Sequence, residues 1–142
     1  EYGSGYSTLF FSQYVGKVDA VEHNRNWYEK ISQRLPDNAN VDFVDAADKK
    51  EYVSYVQKQN ADADVVVVDG RFRVECATAS AEVLKKSAVI VFDDTDRERY
   101  RDIYKILEQR GYRYIEFEGL KPAKFEESRG AVFYKDNNIF GI

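Results

Sequence analysis

Apolar positions along this chain alternate between two periods. Short β-branched or apolar runs at 17–22, 41–45, 64–69 and 87–92 read as strands. Between them, apolar residues three and four apart predict helices. Residues 25–35 place Trp27, Ile31 and Leu35 on one face and stop at Pro36. Residues 49–59 turn Tyr52, Val53 and Val56 inward, and residues 74–86 carry Ala77, Ala81 and Leu84 on one stripe. Four consecutive valines, Val65 to Val68, flanked by acids predict a parallel strand buried on both faces. Thr95 and Glu98 have capping-box spacing ahead of a stripe of Tyr100, Ile103, Tyr104 and Leu107, which Gly111 closes. Runs at 112–117 and 131–135 read as two last strands joined by the polar loop 118–130.

Strands alternating with helices imply right-handed crossovers and a mainly parallel, doubly wound α/β sheet covered by helices on both faces. Two strands ending the chain with no helix between them add an antiparallel edge. No linker or repeat divides the 142 residues, so 1–142 reads as a single domain. An apolar fraction of 44% and a charged fraction of 32% fit a soluble, globular chain, with no stretch long enough to span a membrane. The formal net charge of −4 argues against sequence-independent nucleic-acid binding. A lone cysteine, Cys76, rules out an intrachain disulfide or a cysteine-based zinc site. With no signal peptide visible, the expected location is the cytoplasm.

Chemistry concentrates first in Glu1-Tyr2-Gly3-Ser4-Gly5-Tyr6-Ser7, a glycine-rich turn opening a helix, followed by a strand that ends on Glu22. Gly3 and Gly5 permit a sharp turn and close approach of a ligand. Amides at the following helix start face a polar group there. Glu22, at the neighbouring strand tip, suits the two hydroxyls of a ribose. Such a turn ordinarily follows a buried strand, yet only Glu1 and Tyr2 precede it, so the chain reads as a piece of a longer protein.

Further acids stand at strand ends: Asp45, Asp69, Asp93 and Asp94 join Glu1 and Glu22. In open α/β sheets that edge binds ligands. Asp69, Asp93 and Asp94 suit either one hard divalent cation or one proton-bearing substrate. In this order of motifs the chain resembles the class I S-adenosylmethionine-dependent methyltransferases over essentially its whole length. That resemblance implies a Rossmann-like fold and S-adenosyl-L-methionine as cofactor. The implied cofactor contacts are Glu1, Gly3, Gly5, Ser7, Glu22, Asp45, Ala46 and Asp69. The implied reaction is methyl transfer to an oxygen or nitrogen of a small-molecule substrate. Cation-dependent members of the family bind magnesium at positions matching Asp69, Asp93 and Asp94. Either Mg²⁺ occupies them here, or Asp69 or Asp94 takes the substrate proton directly.

The chain departs from the catechol-type pattern where their lysine base would stand, at Phe72, and Arg71 takes the place of a histidine found in related families. Arg71 and Arg73 read either as ligands for an anionic substrate group or as solvated charges at a helix start. His23 reads as packing beside an adenine, Cys76 as a buried structural thiol, and Trp27 as core. Lys121, Pro122, Lys124 and Phe125 form either a lid or a plain connection. Two other functions compete. A nicotinamide-dependent oxidoreductase would share Gly3, Gly5 and Glu22 but wants a small residue where Thr8 stands. A non-catalytic scaffold would keep the fold alone. Neither the methyl acceptor nor the oligomeric state is legible.

Overall fold

The computed structural model describes residues 1–121 and 125–142. Its strands are β1 (Val18–Glu22), β2 (Ala39–Phe43), β3 (Val65–Val68), β4 (Val89–Asp93), β5 (Arg113–Leu120) and β6 (Glu127–Tyr134). The helices are α1 (Tyr6–Phe11), α2 (Arg25–Ser32), α3 (Lys49–Val53), α4 (Tyr55–Gln59), α5 (Arg73–Val83) and α6 (Asp102–Glu108). Pairing is parallel for β1 with β2 and for β3 with β4. It turns antiparallel where β6 inserts between β4 and β5. The expected doubly wound sheet with an antiparallel edge is therefore present.

Tyr2 joins the two groups of strands. It bridges Val21 on one side and Val68 on the other, both in parallel sense. Its N–H donates to the Val67 carbonyl at 2.8 Å, its carbonyl accepts from Asp69 at 3.0 Å, and the next N–H, of Gly3, donates to Val21 at 2.9 Å. The side chain is fully buried between Tyr52 and Tyr55, and its hydroxyl donates to the Val53 carbonyl. This short segment stands at the centre of the sheet and sets the position of the glycine turn that follows.

Neighbouring residues of a strand point to opposite faces, and Ala20 and Val21 show which helices lie on each. Ala20 packs with Ile31 of α2 and Val41, while Val21 belongs to the larger cluster with Tyr52, Cys76, Ile103 and Phe133. Ile103 and Leu107 of α6 are fully buried there, each contributing about 1.5–3 kcal/mol of apolar transfer. Helix α5 comes close to the sheet because its inward positions, Cys76, Ala77 and Ser80, are small.

Several expectations need correction. The strand of valines is not buried on both faces: Val66 and Val68 are, while Val65 and Val67 are half-buried. The helices joined in the larger cluster pack on the Val66 and Val68 side, and α2 covers β1 and β2 instead. The helix expected over 49–59 breaks at Ser54, whose hydroxyl donates to the Glu51 carbonyl in competition with the helical ladder. Thr95 caps nothing. Its N–H donates to Arg129 of β6, and a 3₁₀ turn at Glu98–Tyr100 intervenes before α6. The last hairpin is longer than expected, with β5 reaching Leu120 and β6 starting at Glu127. The remaining loop includes Pro122 and Lys124, which lie outside the described residues.

Candidate active site

The glycine turn is held by its own side chains. Ser7 Oγ and Thr8 Oγ1 each donate to one oxygen of the Glu1 carboxylate at 2.5 Å, and Thr8 Oγ1 accepts from Gly5 N–H at 2.9 Å. Thr8 is fully buried and links the turn to the first strand segment. Glu1 thus organises the turn and does not line the adjacent cleft. The two glycines serve different needs. Gly3 has φ of +88°, and a Cβ there would stand 2.7 Å from Cα of Gly70, at the end of β3. Gly5 is extended, and a Cβ on it would meet only ordinary contacts, 3.7 Å from Ser7 and 3.8 Å from Trp27. The fold needs glycine at position 3. At position 5 the missing side chain leaves room in the cleft.

Glu22 is buried at the tip of β1, and hydrogen-bond donors surround it. Oε2 accepts from Ser4 N–H at 2.9 Å and from Ser4 Oγ at 3.3 Å. Oε1 accepts from the N–H groups of His23 at 2.9 Å and Asn24 at 2.8 Å. Backbone amides stabilise a carboxylate without an opposing charge, since each N–H offers its dipole to the anion. Asn24 also caps α2 through its side chain, so strand tip, acid and helix start form one unit.

A cleft of about 490 Å³ opens beside this unit, lined by Gly3, Gly5, Ser7, Glu22, Trp27 and Asp69, among others. Its aromatic wall is Trp27 and Tyr6, in edge contact at 5.9 Å, with the Trp27 Nε1–H donating to the Ser4 carbonyl at 2.7 Å. Trp27, expected in the core, packs against the cluster of Ala20, Ile31 and Val41 and also forms a wall of the cleft. The helical stripe that marked it is real, but α2 begins at the site and its first turn faces the opening. His23 lines the same cleft. Asp45 and Ala46 lie in the loop after β2, outside this lining, where Asp45 Oδ1 accepts from Ala47 N–H.

The acids at the ends of β3 and β4 do come together. One oxygen from each of Asp69, Asp93 and Asp94 lies within 4.8 Å of the others. Arg73, at the first position of α5, stands among them with its side chain only 8% exposed. Its guanidinium reaches Asp69 Oδ1 at 2.6 Å, Asp94 Oδ2 at 3.1 Å and Asp93 Oδ2 at 3.4 Å. The same group donates to main-chain carbonyls of Asp69 at 3.2 Å, Gly70 at 3.1 Å and Asp93 at 2.8 Å. Neither expectation for Arg73, a ligand for substrate anions or a solvated charge, fits this arrangement. Phe72, in the left-handed region at φ of 51°, makes the sharp turn that delivers Arg73 to that place, packed against Tyr52.

Asp94 is the most buried of the three acids, its side chain 5% exposed. Burial raises its proton affinity, yet Lys121 at 2.8 Å, Arg73 and Arg97 at 2.5 Å outweigh that and hold its pKa below the ordinary value. Asp69 is half-exposed and lines the cleft. Desolvation of its inner side pushes its pKa up to about 7, opposed by Arg73 and reinforced by the neighbouring Asp93 and Asp94. A carboxyl titrating near neutrality, open to the cleft, has the character of a general base.

The cofactor and metal implied by the sequence resemblance fare differently. An adenosine-bearing ligand fits: buried Glu22 for hydroxyls, aromatic Trp27 and Tyr6 for a ring, and open space at Gly5. Magnesium does not fit. One oxygen of each carboxylate already faces the Arg73 guanidinium, and a cation held among the three acids would meet a like charge.

No family profile and no curated protein sequence matches the chain. Solved structures do. A methyltransferase-like protein from Silicibacter pomeroyi is 25% identical, with a TM-score of 0.60 over 97% of this chain and 78% of its own. A TehB-like S-adenosylmethionine-dependent methyltransferase from Corynebacterium glutamicum is 19% identical, with a TM-score of 0.66 over 96% and 78% of the two chains. The fold is that of the class I methyltransferases. Spermidine synthase from Thermotoga maritima is also similar, at a TM-score of 0.70 and 16% identity over 99% of this chain and 53% of that one. The fold therefore does not by itself name the reaction.

Proposed function

We propose that the chain binds S-adenosylmethionine in the cleft beside Glu22 and promotes transfer of its methyl group to an oxygen or nitrogen of a small molecule. The observation that carries this reading is one cleft lined by both Glu22 and Asp69. The bound cofactor supplies an electrophilic methyl carbon on a sulfonium centre.

The residues of the chain bind, orient and take up a proton. Glu22 presents acceptors to a ribose. Its fixed partners are backbone amides, while two side-chain groups, Ser4 Oγ at 3.3 Å and His23 Nδ1 at 3.0 Å, can give way to a ligand hydroxyl. Trp27, Tyr6 and His23 offer apolar faces to an adenine. Gly5 leaves room beside the turn. Asp69, between cleft and acid cluster, accepts the proton that an acceptor hydroxyl or amine gives up as it becomes nucleophilic. The remaining catalysis is positioning, which can supply about 7–11 kcal/mol when two reactants are held at near-attack geometry.

Thr8 speaks against a dinucleotide turn. Its hydroxyl is spent on Glu1 and Gly5, and it fills the position where close helix–strand packing requires a glycine or alanine. The test is calorimetry on the full-length chain with S-adenosylhomocysteine and, separately, NAD. Binding of the former and not the latter is expected. Glu22→Gln should weaken that binding by about tenfold, as a hydrogen bond to a charged group is worth about 1.5 kcal/mol or more. Unchanged affinity in that variant, or preference for NAD, overturns the reading.

A further inference from the structure

We infer that Arg73 is a built-in cation standing where a divalent metal would otherwise sit, so that the cluster of Asp69, Asp93 and Asp94 is held together without one. This deepens the proposed methyl-transfer reading and rests on it only for the chemistry at Asp69. The charge balance is geometric and independent of that reading. Among the described residues, three carboxylates meet three cations: Arg73 touches each carboxylate, and Arg97 and Lys121 also contact Asp94. Carboxylates gathered at a sheet edge repel one another unless positive charge or protons intervene. Here the compensating charges come from α5, from the turn after β4 and from the start of the last hairpin loop.

Arg73 also has what a structural counter-ion needs and a ligand-binding arginine lacks. Its side chain is more than nine-tenths buried, and each of its nitrogens donates to a carbonyl or carboxylate at the ends of β3 and β4. It staples the two strand ends that carry the acids. Arg73 acts on the reaction through Asp69, fixing the carboxylate's direction towards the cleft, and is thus a positioning residue. A lysine would supply the charge but not the forked set of donors.

Binding of Mn²⁺ decides the point without any turnover. Mn²⁺ favours the hard oxygen ligands that such a cluster offers, and its paramagnetism reports occupancy directly. The full-length wild-type chain, titrated with Mn²⁺ under electron paramagnetic resonance, should show no site that Asp93→Asn weakens. Arg73→Met, shown folded by circular dichroism, should gain a site about tenfold tighter or more, because a like charge has left its centre. Adding Asp93→Asn to Arg73→Met should remove that site, and Arg73→Lys, which restores the charge, should show none. If Arg73→Met does not fold, Arg73→Gln replaces it. A wild-type Mn²⁺ site that depends on Asp93 overturns the inference. So does a folded, neutral variant at position 73 that binds Mn²⁺ no better than wild type, or a lysine variant that binds as well as the methionine one. S-adenosylhomocysteine binding in the same samples separates this result from the cofactor reading, which can stand or fall alone.

Discussion

Glu22 and Asp94 stand at strand tips on the same sheet edge, and both are buried. Their charges are handled in opposite ways. Glu22 is surrounded by backbone amides, those of His23 and Asn24 just after it and that of Ser4 in the glycine turn. Asp94 is surrounded by Arg73, Arg97 and Lys121, drawn from separate segments. Amides can share a carboxylate with an incoming hydroxyl, since their dipoles are fixed and add to its own. Full cations around Asp94 make its negative charge part of the architecture. The first arrangement leaves an acid usable by a ligand, and the second uses the acid to hold the chain. Asp69 is touched by Arg73 yet open to the cleft, and so combines a compensating charge with access to a ligand there.

The seam between these two regions is the place where the comparison breaks most easily. Gly70 and Gly3 lie back to back, and a Cβ on Gly70 would stand 2.2 Å from the Tyr52 hydroxyl and 2.8 Å from Gly3 N. Tyr52 is fully buried and cannot withdraw. Gly70→Ala should therefore destabilise the chain by about 3 kcal/mol or more, at the upper end of overpacking costs. Urea unfolding measures it. A variant as stable as wild type would show that the turn and the acid cluster are not joined at this contact.

The next largest effect concerns Asp69. A carboxyl with a pKa raised to about 7 is mostly protonated below neutrality and mostly a base above it. Methyl transfer should thus rise with pH through about 7 and level off beyond. Asp69→Asn should remove the rise and lower the rate by about 100-fold or more, as positioned general bases contribute. On stability the sign is reversed. Folding raises this pKa, so the folded state holds the proton more tightly, and stability falls as pH climbs from the ordinary carboxylate range through about 7. A pH–rate profile that stays flat from pH 5.5 to 8.5, about 1.5 units either side of the shifted pKa, would remove Asp69 from the role of base.

Much of this arrangement is legible in the residues, and the part that is not turns mostly on contacts made far along the chain. Short β-branched runs located the strands, although the four valines of β3 carry no record that only Val66 and Val68 are fully buried. The glycine turn and the strand-end acids were readable because few other uses combine those residue types in that order. What composition and spacing do not record is the partner of a charge. Arg73 reads as a substrate ligand or a solvated charge, although Arg73, Ala77 and Ser80 are spaced to share one face of α5, and all three are buried. An arginine on a small-residue stripe was the signal available. The stripe that sets Trp27 against the core does not record that the same residue also walls the cleft. Thr95 was misread as a cap because its N–H is taken by Arg129, far along the chain.

The smallest expected effect on stability separates the two glycines of the turn. Gly5 is extended, and an added methyl would rest at van der Waals distance from Ser7 and Trp27. The fold therefore has no need of glycine there: although the residue is buried, an added methyl meets no close contact, and Gly5→Ala should change unfolding free energy by about 1 kcal/mol or less. Gly3, at φ of +88° against Gly70, permits no such substitution. Yet Gly5 lines the cleft beside Glu22, and the space a side chain would fill is space that a ligand in the cleft would use. The same Gly5→Ala chain should accordingly bind S-adenosylhomocysteine more weakly, and Gly5→Val, with two further methyls, more weakly again. Calorimetry and urea unfolding on one preparation read both quantities. Loss of stability without loss of binding would mean that Gly5 serves the turn, as Gly3 does, and that the ligand lies elsewhere along the cleft.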